Sequence, residues 1–456
     1  MGPTFVRYLL APLAFSLSLS VSVATTAFAQ DAPKQADPQP GDEPLLPPEE
    51  PKPEPKPEPA PTEKAPAEKK PAQPAETDKQ AEAASAAHVG DPAAESHHPN
   101  LGDRPMRGTL ALTVGPLSFL PILLVQAQAL PYVGDDSFTL QGDAADSEGF
   151  RLRRGRLGLE VRLSDQGRGR VSVELGSRED GSARIQDAWL AYVGFPYLQA
   201  WGGAMRVPFS RSQMAGSGDQ SLTERPLAVR AMSPGQQVGV VARGDVADRA
   251  FIYDLGVFNG FERFDQFYAG YRQNHAPLGN RFEGLAYVAR LATEPLGPLS
   301  RTIADETHQS PRFGVGANYF YSDGAARGIH TFGGDALLHA EGFHFLAEAI
   351  YSVVSPKSDP EAPTATVAEV KSLGIVAEAG YMILRDLLGV SARFEYIDPS
   401  SAVDDEGDNW LVGGGPTVMF FEGMVRITAE YTHREEMFGL SLENDAVILQ
   451  AQLVVP

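Results

Sequence analysis

The clearest hydrophobic pattern in the chain runs from Gly149 to Leu163, GFRLRRGRLGLEVRL. Leu157, Leu159, Val161 and Leu163 share one face, and Arg154, Arg156, Gly158, Glu160 and Arg162 share the other. Successive side chains of a pleated strand leave opposite faces, so this alternation predicts an extended strand. Similar segments recur near 119–130, 150–164, 169–178, 183–194, 197–207, 234–244, 249–260 and 281–293. They continue near 311–322, 326–339, 342–355, 366–380, 387–398, 408–420, 424–434 and 444–455. That makes sixteen predicted strands, an even number, as single-chain bacterial barrels have. One such strand would equally suit a soluble sheet with one wet face. Sixteen of them behind an export signal predict an all-β transmembrane antiparallel barrel, with apolar residues toward lipid and polar residues toward a water-filled lumen.

The connections bear on this reading, because barrels alternate short turns at one end with longer loops at the other. Residues 164–168, 195–196, 245–248, 341 and 421–423 are short, whereas 131–149, 208–233, 261–280, 355–365, 399–407 and 435–443 are long. Two segments break the rhythm: 294–310 is too long for a turn and 322–325 too short for a loop. A misplaced strand would account for both. Pro121 also falls inside the first predicted strand, tolerable near a strand start and unfavourable mid-ladder.

Residues 1–29 read as a secretory signal, with Arg7, an apolar stretch from Leu9 to Ala24, and Ala27-Phe28-Ala29 before the cleavage point. Residues 30–106 form a Pro/Ala/Glu/Lys-rich leader with too little apolar surface to offset the entropy of folding. It is expected to be a disordered periplasmic linker, and 107–456 the barrel. No apolar run of eighteen residues follows the signal, which argues against a helical membrane protein. The 456-residue chain has no cysteine and a formal net charge of −21. A closed hydrogen-bonded sheet would therefore hold the fold in place of disulfides, and nucleic acid is excluded as a partner for lack of a basic footprint.

From Phe150 to Gly260 the chain resembles the phosphate-selective porin O/P family of Gram-negative outer membranes. The stretches that carry this are FRLRRGRLGLE (150–160), IQDAWLAYV (185–193), MRVPFS (205–210), LTERPL (222–227), SPGQQVGV (233–240) and YDLGVFNG (253–260). The resemblance implies a sixteen-stranded trimeric barrel passing anions through the outer membrane. It also implies contact with outer-membrane lipid and lipopolysaccharide, and small anions as permeants.

Rings of arginine or lysine in a narrow pore favour anions, and a guanidinium donates paired hydrogen bonds without ever deprotonating. The wall candidates are Arg154, Arg156, Arg162 and Arg206. Residues 208–233 follow the fifth strand, where porins fold a loop inward, which adds Arg211, Arg225 and Arg230. Arg206 and Arg225 are expected to face one another across the narrowest section. The alternative is that these arginines only pair with Glu160, Glu174 and Asp187 to stabilise a polar interior. Residues 1–106 carry 9 Lys/Arg and 16 Asp/Glu, a net of −7, which leaves −14 for the barrel region and weak long-range steering of anions. The acidic stretch Asp398–Asp408 reads as a solvated loop, or as a place where divalent cations bridge to lipopolysaccharide. His97-His98, and His339 with His344, lack the further ligands of a zinc site. Trp189, Trp201, Trp410, Tyr192, Tyr197 and Tyr381 are expected to form the interface girdle. No hydrolase, zinc-protease, P-loop or dinucleotide motif occurs in a supporting context, so neither an enzyme nor a cofactor is expected. The prediction is a passive channel for small hydrophilic solutes. The rival is a structural barrel whose Pro-rich arm reaches the cell wall or a periplasmic partner.

Overall fold

Alternation along each segment becomes a single closed antiparallel sheet. A computed structural model describes residues 111–134, 147–175, 183–263, 266–273, 284–324, 327–357 and 368–455. The expected signal (1–29), the Pro-rich leader (30–106) and His97-His98 lie outside the described residues. Sixteen strands make the barrel. They are β1 (Leu117–Val133), β2 (Gly149–Leu163), β3 (Gly167–Leu175), β4 (Arg184–Tyr192), β5 (Gln199–Arg206), β6 (Gln236–Val246), β7 (Phe251–Asn259) and β8 (Leu285–Thr293). The second half comprises β9 (Arg312–Asp323), β10 (Arg327–Ala340), β11 (Phe343–Pro356), β12 (Val370–Leu384), β13 (Leu388–Asp398), β14 (Asn409–Phe420), β15 (Val425–Glu436) and β16 (Ala446–Val455). Each pairs with its neighbours in sequence, and β16 closes the ring against β1 from Ala446–Val133 to Val455–Leu123. Closure pairs the strands on both sides along the shared part of the ring and so satisfies the backbone within a membrane. Pro121 lies past the last β16–β1 pair, where β1 is an edge and a residue without an N–H is tolerated.

The outer face carries Leu157, Leu159, Leu163, Val171 and Leu190, the last 74% exposed. These apolar side chains point to lipid, as the alternation requires. The turns explain how so many strands reverse tightly. Glu341 and Gly342 both have positive φ, 51° and 90°, the pair of left-handed conformations that a two-residue hairpin needs to match strand twist.

Both breaks in the loop rhythm are real features, and no strand is misplaced. The connection after β8, residues 294–311, is long because it folds into the barrel from the turn end. Its Ile303 is buried with Ala215, Leu337 and Leu346, and the Ile303 carbonyl contacts His339 Nε2 at 2.8 Å. From the loop end, residues 207–235 fold inward and carry two short helices, α1 (Arg211–Met214) and α2 (Leu227–Met232). The two insertions meet at Asp219, whose carbonyl accepts from Ile303 N at 3.0 Å and whose carboxylate pairs with Arg301 at 3.0 Å.

The inner wall is not uniformly polar. Val241, Phe258, Val288, Phe320, Ile329, Ile350, Val376 and Ile397 point inward and are buried against Phe209, Leu227, Val229 and Met232 of the inserted loop. Each such side chain removed from water contributes about 1.5–3 kcal/mol. The apolar patch is thus the seat of α2, and Phe267 and Tyr268 of the following loop join the same cluster. The arc of wall from β6 to β14 is packed in this way, leaving open lumen beside β2 to β6.

Candidate functional site

Two β-bulges set the composition of the open side. Pairing of β1 with β2 runs in register to Gln126–Arg154 and resumes at Ala127–Leu152, leaving Arg153 as the extra residue. Strict alternation would turn Arg151 and Arg153 toward lipid, where an arginine at the midplane costs about 2–4 kcal/mol. The bulge instead sends Leu152 outward, 49% exposed, and brings Arg151 to the buried Gln128 at 2.8 Å. A second shift between β3 and β4 leaves Gln186 as the extra residue, and Arg184 and Gln186 both line the lumen.

The inserted loop is fastened to the opposite wall by carboxylates. Glu348 accepts from Ser212 N at 2.8 Å, Glu395 from Ala228 N at 2.9 Å, and Glu430 from Thr223 N at 2.8 Å. Glu378 accepts from the Ser221 hydroxyl. Ala228 N belongs to the first turn of α2, where the N–H groups have no partner in the helix and favour negative charge. From the same wall, Arg290 donates to Phe209 O at 2.7 Å and Arg393 to Glu224 O at 2.9 Å. Arg290 also pairs bidentately with Asp335. The acidic residues behind the loop are therefore engaged in holding it.

In front of the loop lies a cavity of about 260 Å³ lined by Arg153, Arg154, Arg156, Arg184, Arg206 and Arg225, with Glu174, Gln186, Gln213 and Gln236. Arg156 is forked onto Glu174 through Nε at 3.0 Å and Nη2 at 2.7 Å. Arg206 Nη1 donates to the carbonyls of Met214 and Ala215, both at 2.8 Å. Arg225 donates to Ser212 O at 3.0 Å and to the same Ala215 O at 2.6 Å. The carbonyls that hold both guanidiniums are neutral acceptors. Burial, and next the Arg206 charge, lower the Arg225 pKa well below the ordinary arginine value. Burial alone would raise Glu224, but Arg154 and Arg153 hold it well below the usual carboxylate range.

Of the sequence candidates, Arg154, Arg156, Arg206 and Arg225 come together here. Arg206 and Arg225 do not face one another across a gap, since they converge on a single carbonyl oxygen. Arg162 lies near the turn end of β2, paired with Glu160 at 3.0 Å, away from the cavity. Arg211 is buried behind the loop against Glu294 at 3.2 Å and Asp335 at 3.5 Å, so it lines no pore. Arg230 is exposed on α2 and outside the cavity. Arg153, Arg184 and Glu224 join Arg154 and its neighbours, although alternation alone points to none of the three. The adjacent pair Arg153-Arg154 was the available signal, because two consecutive arginines cannot both avoid lipid without a bulge.

A model of the phosphate-selective porin O and P family matches residues 133–388, more than half of the chain. This chain belongs to that family. No curated protein matches it. Among solved structures, OmpF of Salmonella typhi in complex with daunomycin is similar with a TM-score of 0.51 at 12% identity, over 75% of this chain and 99% of that one. A loop-deletion mutant of the outer-membrane protein OmpT of Vibrio cholerae gives 0.50 at 12% identity, over 74% and 99%. At these identities the likeness is one of fold, an outer-membrane barrel.

The remaining sequence candidates in this porin fall as follows. Trp189 and Trp201 are not girdle residues. They pack against each other inside the barrel, tilted by 49° with ring centroids 4.5 Å apart, with Arg243 over Trp201 at 5.2 Å, because Ala188 and Leu190 take the outer face. Tyr192, Tyr197 and Tyr381 are exposed at the turn end, where a girdle belongs. His339 and His344 are opposed across the β10–β11 hairpin, and no metal-ligand group forms among the described residues. At the acidic loop, burial and then the neighbouring Asp398 push the Asp408 carboxyl up to about 7. A carboxyl raised on folding stabilises the protein below its unfolded pKa, and that contribution is lost as pH rises toward 7. Asp408→Asn should therefore raise the thermal midpoint at pH 8 relative to the native protein and change it little at pH 4. Equal effects at the two pH values would refute this account.

Proposed function

We propose that this porin passes small hydrophilic solutes passively across the outer membrane, favouring anions such as phosphate at an arginine-lined constriction. The reading rests on the segregation of charge by the inserted loop. Carboxylates of β11 to β15 lie behind it, held by its backbone N–H groups, while six arginines line the cavity in front. This reconciles an acidic barrel with a basic constriction, since selectivity depends on the charges nearest the narrow point. Residues 1–29 would be removed on export and 30–106 would lie in the periplasm.

A homotrimer accords with the outer face of β4 to β6, where Ala188, Ala200, Gly202, Ala204 and Ala242 leave a low surface from which Leu190 and Val240 project. The face of β10 to β13 instead carries Phe332, Phe345, Tyr351, Ile375 and Phe394, suited to lipid.

The filled arc beside β6 to β14 favours a second reading, a structural barrel anchoring the Pro-rich arm to the cell wall or a periplasmic partner. Single-channel recording of the mature protein in a planar bilayer under a potassium chloride gradient separates the two. The expected result is ohmic steps with a reversal potential of anion sign, with current reduced by added phosphate. Cation sign would discard the arginine constriction. Silence from a demonstrably folded barrel would transfer the assignment to the tether.

A further inference from the structure

The constriction already contains an anion of the chain's own. Glu224 is held by two guanidiniums at once: Arg153 reaches Oε1 at 2.5 Å and Oε2 at 3.2 Å, and Arg154 reaches Oε1 at 3.3 Å and Oε2 at 2.8 Å. Four charge-assisted hydrogen bonds to one planar carboxylate form a built recognition site, since the rigid fork of arginine matches the two oxygens of such a group. The Glu224 side chain is 13% exposed and borders the cavity residues Arg154 and Arg225.

The backbone around Glu224 is anchored independently of its side chain. Its carbonyl accepts from Arg393 at 2.9 Å, and the preceding Thr223 N is fixed to Glu430 at 2.8 Å. A change at the Glu224 carboxylate thus leaves the loop seated. Arg206 and Arg225 stand beside this pair with neutral acceptors, so an incoming anion is drawn to the same cavity.

We infer that Arg153 and Arg154 form a carboxylate-binding site in the channel wall, and that Glu224 occupies it at rest and is exchanged for the carboxylate of a passing organic anion. This rests on the anion-channel reading above and adds the ligand class to it. Glu224 then acts as an internal competitor that sets selectivity among anions. Chloride, which cannot bridge two forks, gains little from displacing it. A carboxylate presents the same two-oxygen edge as the Glu224 occupant, and phosphate, which also offers paired oxygens to a guanidinium, is the anion it competes with there.

The test is the acetate-to-chloride permeability ratio, read from reversal potentials under potassium acetate against potassium chloride, with potassium phosphate as a parallel arm. In Glu224→Gln the acetate ratio is expected to rise about tenfold, the scale of one charge-assisted hydrogen bond. Arg153→Lys keeps the charge and removes the fork, so it should lower acetate relative to chloride even if the Glu224 variant fails to assemble. An unchanged acetate ratio in a Glu224→Gln channel with normal chloride current overturns the inference, as does a gain for phosphate without one for acetate. The sign of the native reversal potential in potassium chloride reports separately on the anion-channel reading.

Discussion

Replacing Arg225 with glutamate is expected to lower the anion-to-cation permeability ratio by about tenfold or more, since a two-unit change of charge at about 8 Å acts with about 0.5 kcal/mol per unit even at the dielectric constant of water. The same displacement repels anions and attracts cations, so the two effects multiply in the ratio. Arg206→Glu should act in the same direction, because Arg206 and Arg225 donate to one carbonyl oxygen, that of Ala215. In the double variant two introduced carboxylates lie side by side and one is driven toward protonation, so the double should fall short of the sum of the singles. Raising the salt should shrink both effects as screening sets in. Bilayer reversal potentials at two ionic strengths measure all of this, and unchanged selectivity in both single variants would remove these residues from the mechanism.

Asp335→Ala should produce the largest loss of stability. Asp335 is 5% exposed and Arg290 1%, and the pair is completed by Asn318, which lies with both in the lumen wall. Removing one member of a buried pair leaves an uncompensated charge and costs about 3–5 kcal/mol. Arg290 also holds Phe209 O, and Arg211 lies at 3.5 Å from Asp335, so the loop seat loosens with it. The expected readout is a lower thermal midpoint of the folded barrel, followed by circular dichroism or by heat-dependent electrophoretic migration, with noisier open-channel current. A fully apolar double replacement, Arg290→Met with Asp335→Leu, should cost much less, because it leaves no charge stranded. Equal losses in the two variants would show that packing and not charge governs this site.

The strands were legible because period-two alternation is a local signal that each segment carries by itself. All sixteen predicted segments overlap observed strands, and Leu157 to Leu163 face outward as expected. What was not legible depends on departures from that period. Arg153 and Gln186 are extra residues in their ladders, and a parity argument that carries no bulge assigns Arg153 and Arg184 to the wrong face. Inward Phe258, Phe320 and Ile350 contradict a uniformly polar lumen, and only α2 lying against them explains their burial. Arg211 and Arg225 show the same limit within one loop. Both are inserted arginines, yet the first is turned to Glu294, 83 residues away in sequence, and the second to the cavity because its neighbours Thr223 and Glu224 are held by Glu430 and Arg393, 207 and 169 residues away. Such long-range pairing cannot be read from local pattern. The connection 294–311 was visible as a length but not as an inward fold.

The anchoring of residues 207–235 also fixes an order of events in assembly. Gln126, Arg153, Arg154 and Arg206 of earlier strands hold the loop from one side. Its partners on the far wall lie at Arg290, Glu348, Glu378, Glu395 and Glu430, and Gln452 of the last strand donates to Gly218 O at 3.1 Å. Gln452 and the far-wall partners all follow the loop in the chain, with separations of 81 to 234 residues. Contacts of such high order form late, after the intervening chain has lost its freedom. The inserted loop therefore gains its last anchor, Gln452 to Gly218 O, only as the final strand zips against the first, and a barrel that has not closed holds the loop incompletely.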